Sequence, residues 1–438
     1  MKKVLISLAV LLIAATSFAI ESPDVKINGE VRMRGYYLEN FYDFDSSSDY
    51  DNWSVFRIRS HIAATAAFEK NVTAYVKFAN QTYGEGVSDA ADNQSGKVFV
   101  DNAWIEVKKF LDAPINLKFG RQNLMYGGGF VLFDGQSQMA STSLYFDGVK
   151  LTWEVKDKMD VDFLYFKDQE NRREDAIDDD ITLMGVYVTA KLLSDTGKQE
   201  LYVLHKEQQD QKGAVAPEKS IYLIGARISD KMKSGLDYAV EGAMETGKYD
   251  DRNNIDQEAY AFKADLGYTL KAKMDPRIFG GFTYLSGDED PTDDTNKAWD
   301  SFYGGWPVYG DLLAWKYLTN IPYPPYGANV LGNAYPNYEV GSNIVGEVMY
   351  SNLIMGTLGV GFVPKEDISV SLSASYIEMN DTYAGVDDEF GWYYQMDTKY
   401  KYSDALGFGL YAAMIDPGDA FPDADNAYEV FWETSLRF

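Results

Sequence analysis

Four arginines at alternate positions, Arg32, Arg34, Arg57 and Arg59, fall in two neighbouring segments whose other face is apolar. Side chains two apart on a strand share a face, so the four would crowd onto one side of a single hairpin. Like charges facing each other across strands repel, so the cluster requires counter-charge or a task. A second set, Asp237, Glu241 and Glu245, shares the polar face of a later segment, and Lys263 and Asp265 stand on the polar face of the next. Guanidiniums facing carboxylates across a wet pore would set up a transverse field that sorts ions and polar solutes. The competing arrangement is a polar lining of local ion pairs.

Covalent chemistry is poorly furnished. The two histidines, His61 and His205, are far from any serine motif, whereas a barrel hydrolase would need a Ser–His pair. His61 reads as one more polar residue of an interior. Tyr126-Gly127-Gly128-Gly129 lacks the Lys-Ser/Thr and following helix of a phosphate cradle, and its glycines suit a sharp turn. With no cysteine, a disulfide scaffold and a thiolate metal site are both excluded. Acidic clusters occur at Asp43, Asp45, Asp49 and Asp51; at Glu174, Asp175 and Asp178 to Asp180; at Asp288, Glu289, Asp290, Asp293 and Asp294; and at Asp387 to Glu389. Oxygen-rich groups of this kind suit calcium, or lipopolysaccharide bridged through it, but none has the spacing of a calcium loop. They read as solvated loop surface. No enzyme activity, cofactor or metal ion is expected.

The elements that would hold these residues follow from the hydropathy pattern. Met1 to Ala19 has a charged start, an apolar centre and a small-residue end, the form of a secretory signal, leaving residues 20–438 as one domain. No later stretch approaches eighteen uninterrupted apolar residues, so a spanning helix is not expected. An exported soluble protein or a transmembrane barrel remains. The 33 Tyr, 24 Phe and 8 Trp suit aromatic girdles at two membrane interfaces. The net charge of −27 argues against a nucleic-acid partner.

Alternation of apolar and polar residues recurs along the whole domain. Residues 25–39 set Val25, Ile27, Val31, Met33 and Tyr37 against Lys26, Asn28, Glu30 and the first arginines, and residues 53–68 repeat the pattern. Short turns are expected at 69–71, 110–114, 156–159, 193–198, 230–233, 271–276, 363–367 and 402–404. Long loops are expected at 41–52, 82–97, 123–143, 168–180, 207–219, 247–257, 286–352, 379–391 and 415–427. These seventeen connections join eighteen strands, with short turns and long loops in strict alternation. The last twelve residues, Ala427 to Phe438, alternate once more and end on an aromatic, as a closing strand would. The pattern predicts an all-β transmembrane antiparallel β-barrel of about 18 strands, both termini periplasmic, in the outer membrane of a Gram-negative-type bacterium. A row such as Ser369, Ser371, Ser373 and Ser375 on the inner face implies a wet interior.

Four stretches resemble the alginate-export family of outer-membrane barrel porins. They are FGRQNLMYGG at 119–128, NLIMGTLGVGFVPKEDISVSLSASY at 352–376, YYQMDTKY with Gln395 and Asp397, and DPGDAF at 416–421. The resemblance implies an eighteen-stranded channel passing sugars or small polar solutes, with Arg121, Gln395 and Asp397 along the pore. Two departures stand out: Gln395 replaces the family's acid, and the strongly basic pore of alginate-passing members is not evident. Strict alternation from Ile115, Leu117 and Phe119 would also turn Arg121 outward, so that either a bulge re-aims it or it sits above the membrane.

The expected function is passive diffusion of polar solutes, with oligosaccharides or anionic sugars as candidate cargo. The rivals are an adhesive or structural surface protein with a closed lumen, and a barrel enzyme. Expected partners are outer-membrane lipid and lipopolysaccharide, small polar or sugar solutes, periplasmic chaperones and the barrel-assembly machinery. The loop at 286–352, with Trp299, Trp306, Trp315 and the prolines 322, 324 and 325, is expected to pack as a lid over the pore.

Overall fold

The computed structural model describes residues 23–41, 44–47, 52–69, 71–83, 98–133, 145–156, 158–169, 181–209, 218–290, 292–304, 310–313, 351–382 and 387–438, with the backbone alone at 168 and 169. The strands are β1 (Asp24–Glu39), β2 (Trp53–Phe68), β3 (Val72–Tyr83), β4 (Phe99–Val107), β5 (Ile115–Gln122), β6 (Phe146–Val155), β7 (Met159–Gln169), β8 (Ile181–Ala190), β9 (Lys198–Gln208) and β10 (Lys219–Lys231). They continue as β11 (Leu236–Asp250), β12 (Ile255–Thr269), β13 (Arg277–Leu285), β14 (Thr295–Asn296), β15 (Leu353–Lys365), β16 (Ile368–Glu378), β17 (Glu389–Lys401), β18 (Leu406–Pro417) and β19 (Ala427–Arg437). β14 is a two-residue segment lying parallel to β12, outside the succession of the wall. The other eighteen pair antiparallel with their chain neighbours, and β19 returns to β1 from Glu30↔Arg437 to Glu39↔Tyr428. The seam is finished by Gly29 N donating to Phe438 O at 2.9 Å and Phe438 N donating to Gly29 O at 3.1 Å.

Period-two alternation decides which way each side chain points. On β1 and β2, Val25, Ile27, Val31, Tyr37, Phe56, Ile58 and Ile62 are exposed, while the arginines between them are buried. The outward row continues around the wall through Tyr260, Phe262, Leu266 and Ile278 to Leu358, which is 73 % exposed. A belt of exposed aliphatic and aromatic residues is costly in water and neutral in hydrocarbon, which is the environment a closed barrel occupies. Among the described residues, no helix is long and apolar enough to cross a membrane, which says nothing against strands.

One expected long loop is a tight turn. Instead of an excursion over 247–257, β11 runs to Asp250 and β12 starts at Ile255. The Asp250 carboxylate accepts from Arg252 N at 3.1 Å and Asn253 N at 3.3 Å, and Lys248 pairs with Asp256 at 2.5 Å across the hairpin. Past the apolar belt a strand faces water on its outer side, so it can extend on polar residues that apolar alternation does not register.

The lumen is occupied as well as lined. Leu124 and Phe130 to Phe133, from the connection after β5, and Trp299, Phe302, Tyr303, Leu312 and Leu313, from the connection before β15, are all buried. All of them except Phe133 pack with inward residues such as Phe146, Leu204 and Tyr393 in one apolar cluster.

The orientation of the wall can be checked by substitution. Leu358→Arg, mid-strand on the outward row, should destabilise the barrel by about 2–4 kcal/mol, the cost of an arginine near the bilayer midplane. Ser371→Arg on the adjacent inward row should cost under about 1 kcal/mol. Urea titration of folding into lipid vesicles measures both; equal costs would mean the faces are misassigned.

A charged lumen crossed by a folded loop

The pairing of β1 with β2 sets Arg32 opposite Arg59 and Arg34 opposite Arg57, so the four guanidiniums form one patch of inner wall. All four residues are buried, Arg34 to 1 % exposure. Counter-charge comes from the two strands at the seam. Arg34 Nε meets Glu433 on β19 at 2.6 Å, Arg32 approaches the same carboxylate at 3.9 Å, and Arg59 meets Glu30 on β1 at 2.7 Å. Arg57 donates to Gln81 on β3 at 3.1 Å, and Arg34 donates to the Tyr36 hydroxyl at 2.9 Å while lying over the Phe431 ring. A crowded cationic patch persists because each member gains a hydrogen bond or a neighbouring carboxylate that a bare interior would deny it.

The acidic set stands on β11, nine strands from β2 in either direction around the eighteen-strand wall. It too is compensated on the spot. Glu241 accepts from Tyr202 at 2.9 Å and lies 3.5 Å from Arg227, which also binds Glu200. Asp237 pairs with Arg277 at 2.6 Å, and Lys263 with Asp265 at 2.7 Å. Glu245 accepts from Gln257 at 2.8 Å and from the Asp300 backbone N–H at 3.0 Å. The two walls do oppose each other, but each largely neutralises its own charge, and local ion pairs dominate over a field spanning the lumen.

Between the walls lies the loop. Asp300 reaches Lys206 on β9 at 2.5 Å and Lys219 on β10 at 3.3 Å, with all three side chains shielded from solvent. Burial would raise the Asp300 carboxyl, but the two ammonium groups overcome it and hold the group at about 2. Tyr303 pairs with the post-β5 connection through a bridge to Leu132, with Tyr303 N donating to Val131 O at 3.1 Å. That connection turns inward at Gly127, whose φ of 56° suits glycine, and a Cβ there would stand 2.9 Å from the Arg227 side chain. Tyr126 stacks on Tyr187 and Tyr187 on Tyr202, a ladder leading to Glu241. Residues 310–313 reach the opposite wall. Gly310 abuts Tyr393 and Gln395, Asp311 N donates to the Tyr411 hydroxyl at 3.3 Å, and its carboxylate lies 3.9 Å from Arg34.

Of the residues singled out from sequence, the four arginines, Asp237, Glu241, Glu245, Lys263 and Asp265 all face inward by strand parity. Gln395 accepts from Tyr411 at 3.0 Å, and Asp397 pairs with Lys399 at 3.3 Å on the same inner face. Arg121, assigned to the pore by resemblance, stands instead on the outward row. It pairs with the exposed Asp147 at 2.8 Å and lies over the Tyr145 ring, so strand parity prevails there. Trp306, Trp315 and the prolines 322, 324 and 325 lie outside the described residues, as do the acidic residues 43, 49, 51 and 174–180. Sequence reasoning missed Lys206, Lys219, Arg227, Glu433, Asp300 and Asp311. Alternation with the outward Leu201 and Val203 could have found Lys206; no periodicity marks the two loop aspartates.

Two outcomes follow. Asp300→Asn removes the carboxylate that lies between two buried lysines, a loss of about 3–5 kcal/mol. The loop should leave the wall, and single-channel conductance in a planar bilayer should rise. The second concerns pH. Burial pushes the Asp311 carboxyl up to about 6, against the pull of Arg34, Arg57 and Arg32. An acid with a raised value in the docked state favours docking when protonated, so docking is strongest in acid and weakens as pH rises towards 6. Asp300, shifted the other way, keeps its grip until pH falls towards 2. Conductance should therefore be larger at pH 7.5 than at pH 4.5, and Asp311→Asn should flatten that difference.

The sequence matches the alginate export family over residues 25–432. No curated protein matches it. Solved structures resemble it in fold: Pseudomonas aeruginosa OccK9 (OpdG), at 10 % identity and TM-score 0.59, covering 95 % of this chain and 99 % of that one. P. aeruginosa OccK3 (OpdO) follows at 13 % identity and TM-score 0.57, covering 98 % and 99 %. A BenF-like porin from Pseudomonas fluorescens Pf-5 shows 10 % identity and TM-score 0.57, covering 95 % and 98 %. A closed antiparallel wall with an apolar exterior, a polar lumen and a match across nearly the whole domain leaves one assignment: the chain belongs to the alginate export family, and its barrel is an outer-membrane channel.

Proposed function

We propose that the channel passes polar solutes by diffusion and that sugars, among them short oligosaccharides and acidic sugars, are its cargo. The observation behind this reading is the loop held between two hydrogen-bonding walls, with Asp300 anchored to Lys206 and Lys219 and residues 310–313 beside Arg34. A solute moving past that crossing exchanges water for guanidinium, carboxylate, amide and phenol groups, an exchange suited to hydroxyl-rich molecules. The family description, alginate export, points to the same chemical class. Because most lumen cations already have carboxylate partners, a long polyanion would find less unbalanced positive charge here than a strongly basic pore offers.

In this reading the solute path runs along Arg32, Arg34, Arg57, Arg59, Asp237, Glu241, Glu245, Lys263, Asp265, Gln395 and Asp397. Residues 1–19 act as a removable export signal and 20–438 as the mature barrel, with both termini and the short turns on the periplasmic side. Lipid contacts the apolar belt, and lipopolysaccharide meets the rim near Arg121. Periplasmic chaperones and the barrel-assembly machinery handle the chain before insertion.

Recordings in a planar bilayer test the reading. Arg57→Gln with Arg59→Gln should move the reversal potential towards cation preference, and Glu241→Gln with Glu245→Gln should move it the other way. Both shifts should be larger in dilute salt, because ionic strength near physiological screens charge beyond ~8 Å. Wild-type reversal potentials in both variants would remove these residues from the solute path. An absence of conductance steps in the intact protein would favour a closed surface protein.

A further inference from the structure

Beneath the loop crossing, the inner wall of β17, β18 and β19 is hollowed into a recess of about 430 Å³ that runs from Arg34, Tyr411 and Phe431 down to the turn at 402–405. That volume falls within the roughly 300–1,000 Å³ of small-molecule sites. Two inward positions of β18 are glycine. The neighbouring Phe408 and Leu410 are exposed outward, so Gly407 and Gly409 leave bare backbone as the back of the recess. Neither glycine is demanded by the fold. A Cβ at Gly407 would meet nothing nearer than Tyr400 O at 3.7 Å, and one at Gly409 nothing nearer than the Glu433 side chain at 3.5 Å.

Ser435, opposite Gly407 in the β18–β19 register, lines the same space and is only 8 % exposed. Its hydroxyl has no hydrogen-bond partner among the described residues. A buried hydroxyl left unsatisfied is costly, and a ligand hydroxyl in the recess would satisfy it.

The rim is charged but balanced. Lys399 pairs with Asp397 at 3.3 Å, Lys401 with Asp404 at 2.6 Å, Arg34 with Glu433 at 2.6 Å and Arg437 with Glu30 at 3.0 Å. Donors and acceptors therefore alternate around the opening without a surplus of either sign. A carboxylate or phosphate would have to break an existing pair to be held there. Vicinal hydroxyls, each able to donate and accept, can bridge such pairs without displacing them. The inward serines of β16 continue the hydroxyl-bearing surface, with Ser371 opposite Asp397 and Ser373 opposite Gln395.

We infer that this recess is a binding station for one uncharged sugar ring of a passing oligosaccharide, seated on the Gly407–Gly409 backbone with Ser435 at its back. The inference rests on the reading of the channel as a sugar path and specifies which sugars that path retains.

The test uses the full-length protein purified in detergent, with maltohexaose as the neutral probe and a hexauronate as the acidic one. Titration calorimetry should show maltohexaose binding, and planar-bilayer recordings should show its transient blockades of current. Gly409→Leu fills the recess and should weaken binding by about tenfold or more, the scale of a displaced ring contact. Ser435→Ala removes one hydrogen bond and should weaken it by about fivefold. Strand-dominated circular dichroism and heat-shifted gel migration should verify that both variants are folded. Maltohexaose affinity unchanged in both folded variants would overturn the site, and so would a wild-type protein that binds the hexauronate but not maltohexaose. Failure of the channel reading looks different: no conductance steps, with the calorimetric comparison of variants still deciding the recess.

Discussion

Every backbone N–H and C=O inside a bilayer must find its partner within the protein, and the return of β19 to β1 is what meets that demand here. The seam is more than a ladder of backbone bonds. Glu433, Arg437 and Phe431 on β19 and Glu30, Arg32 and Arg34 on β1 interleave there, so the strand pairing that closes the barrel also supplies the carboxylate that the arginine patch needs. Closure and charge compensation are one event: an open sheet would leave Arg34 without Glu433.

The same logic governs the loop. A connection that enters the lumen must satisfy its own polar groups, and it does so at two ends with opposite chemistry. At one end a carboxylate sits between two ammonium groups, with a backbone N–H on Glu245. At the other, a carboxylate approaches a guanidinium already held by Glu433. The first end is the tighter, since Asp300 has two dedicated partners at short range. The packing of Trp299 and Tyr303 against the post-β5 connection adds apolar burial to the anchored end. Loop therefore packs against wall inside the lumen, and the charges of the wall serve to hold the loop as well as to face a solute.

Alternation of apolar and polar residues determined the number of strands, the face each presents, the inward direction of Arg32, Arg34, Arg57 and Arg59, and the outward direction of Arg121. It could do so because lipid on one side and water on the other impose a period of two on every spanning strand. It misjudged 247–257 because a strand beyond the bilayer no longer has an apolar side to betray it. Tertiary structure alone decided the rest. Which carboxylate meets which guanidinium depends on register between strands far apart in sequence, as with Arg34 and Glu433, and nothing local encodes it. Asp300 and Asp311 sit in a loop without periodicity, so only the folded chain could reveal that one joins β9 and β10 and the other faces β1. The emptiness above Gly407 and Gly409 likewise arises from neighbours on β17 and β19, since a glycine's vacant space has meaning only once the surrounding walls are in position.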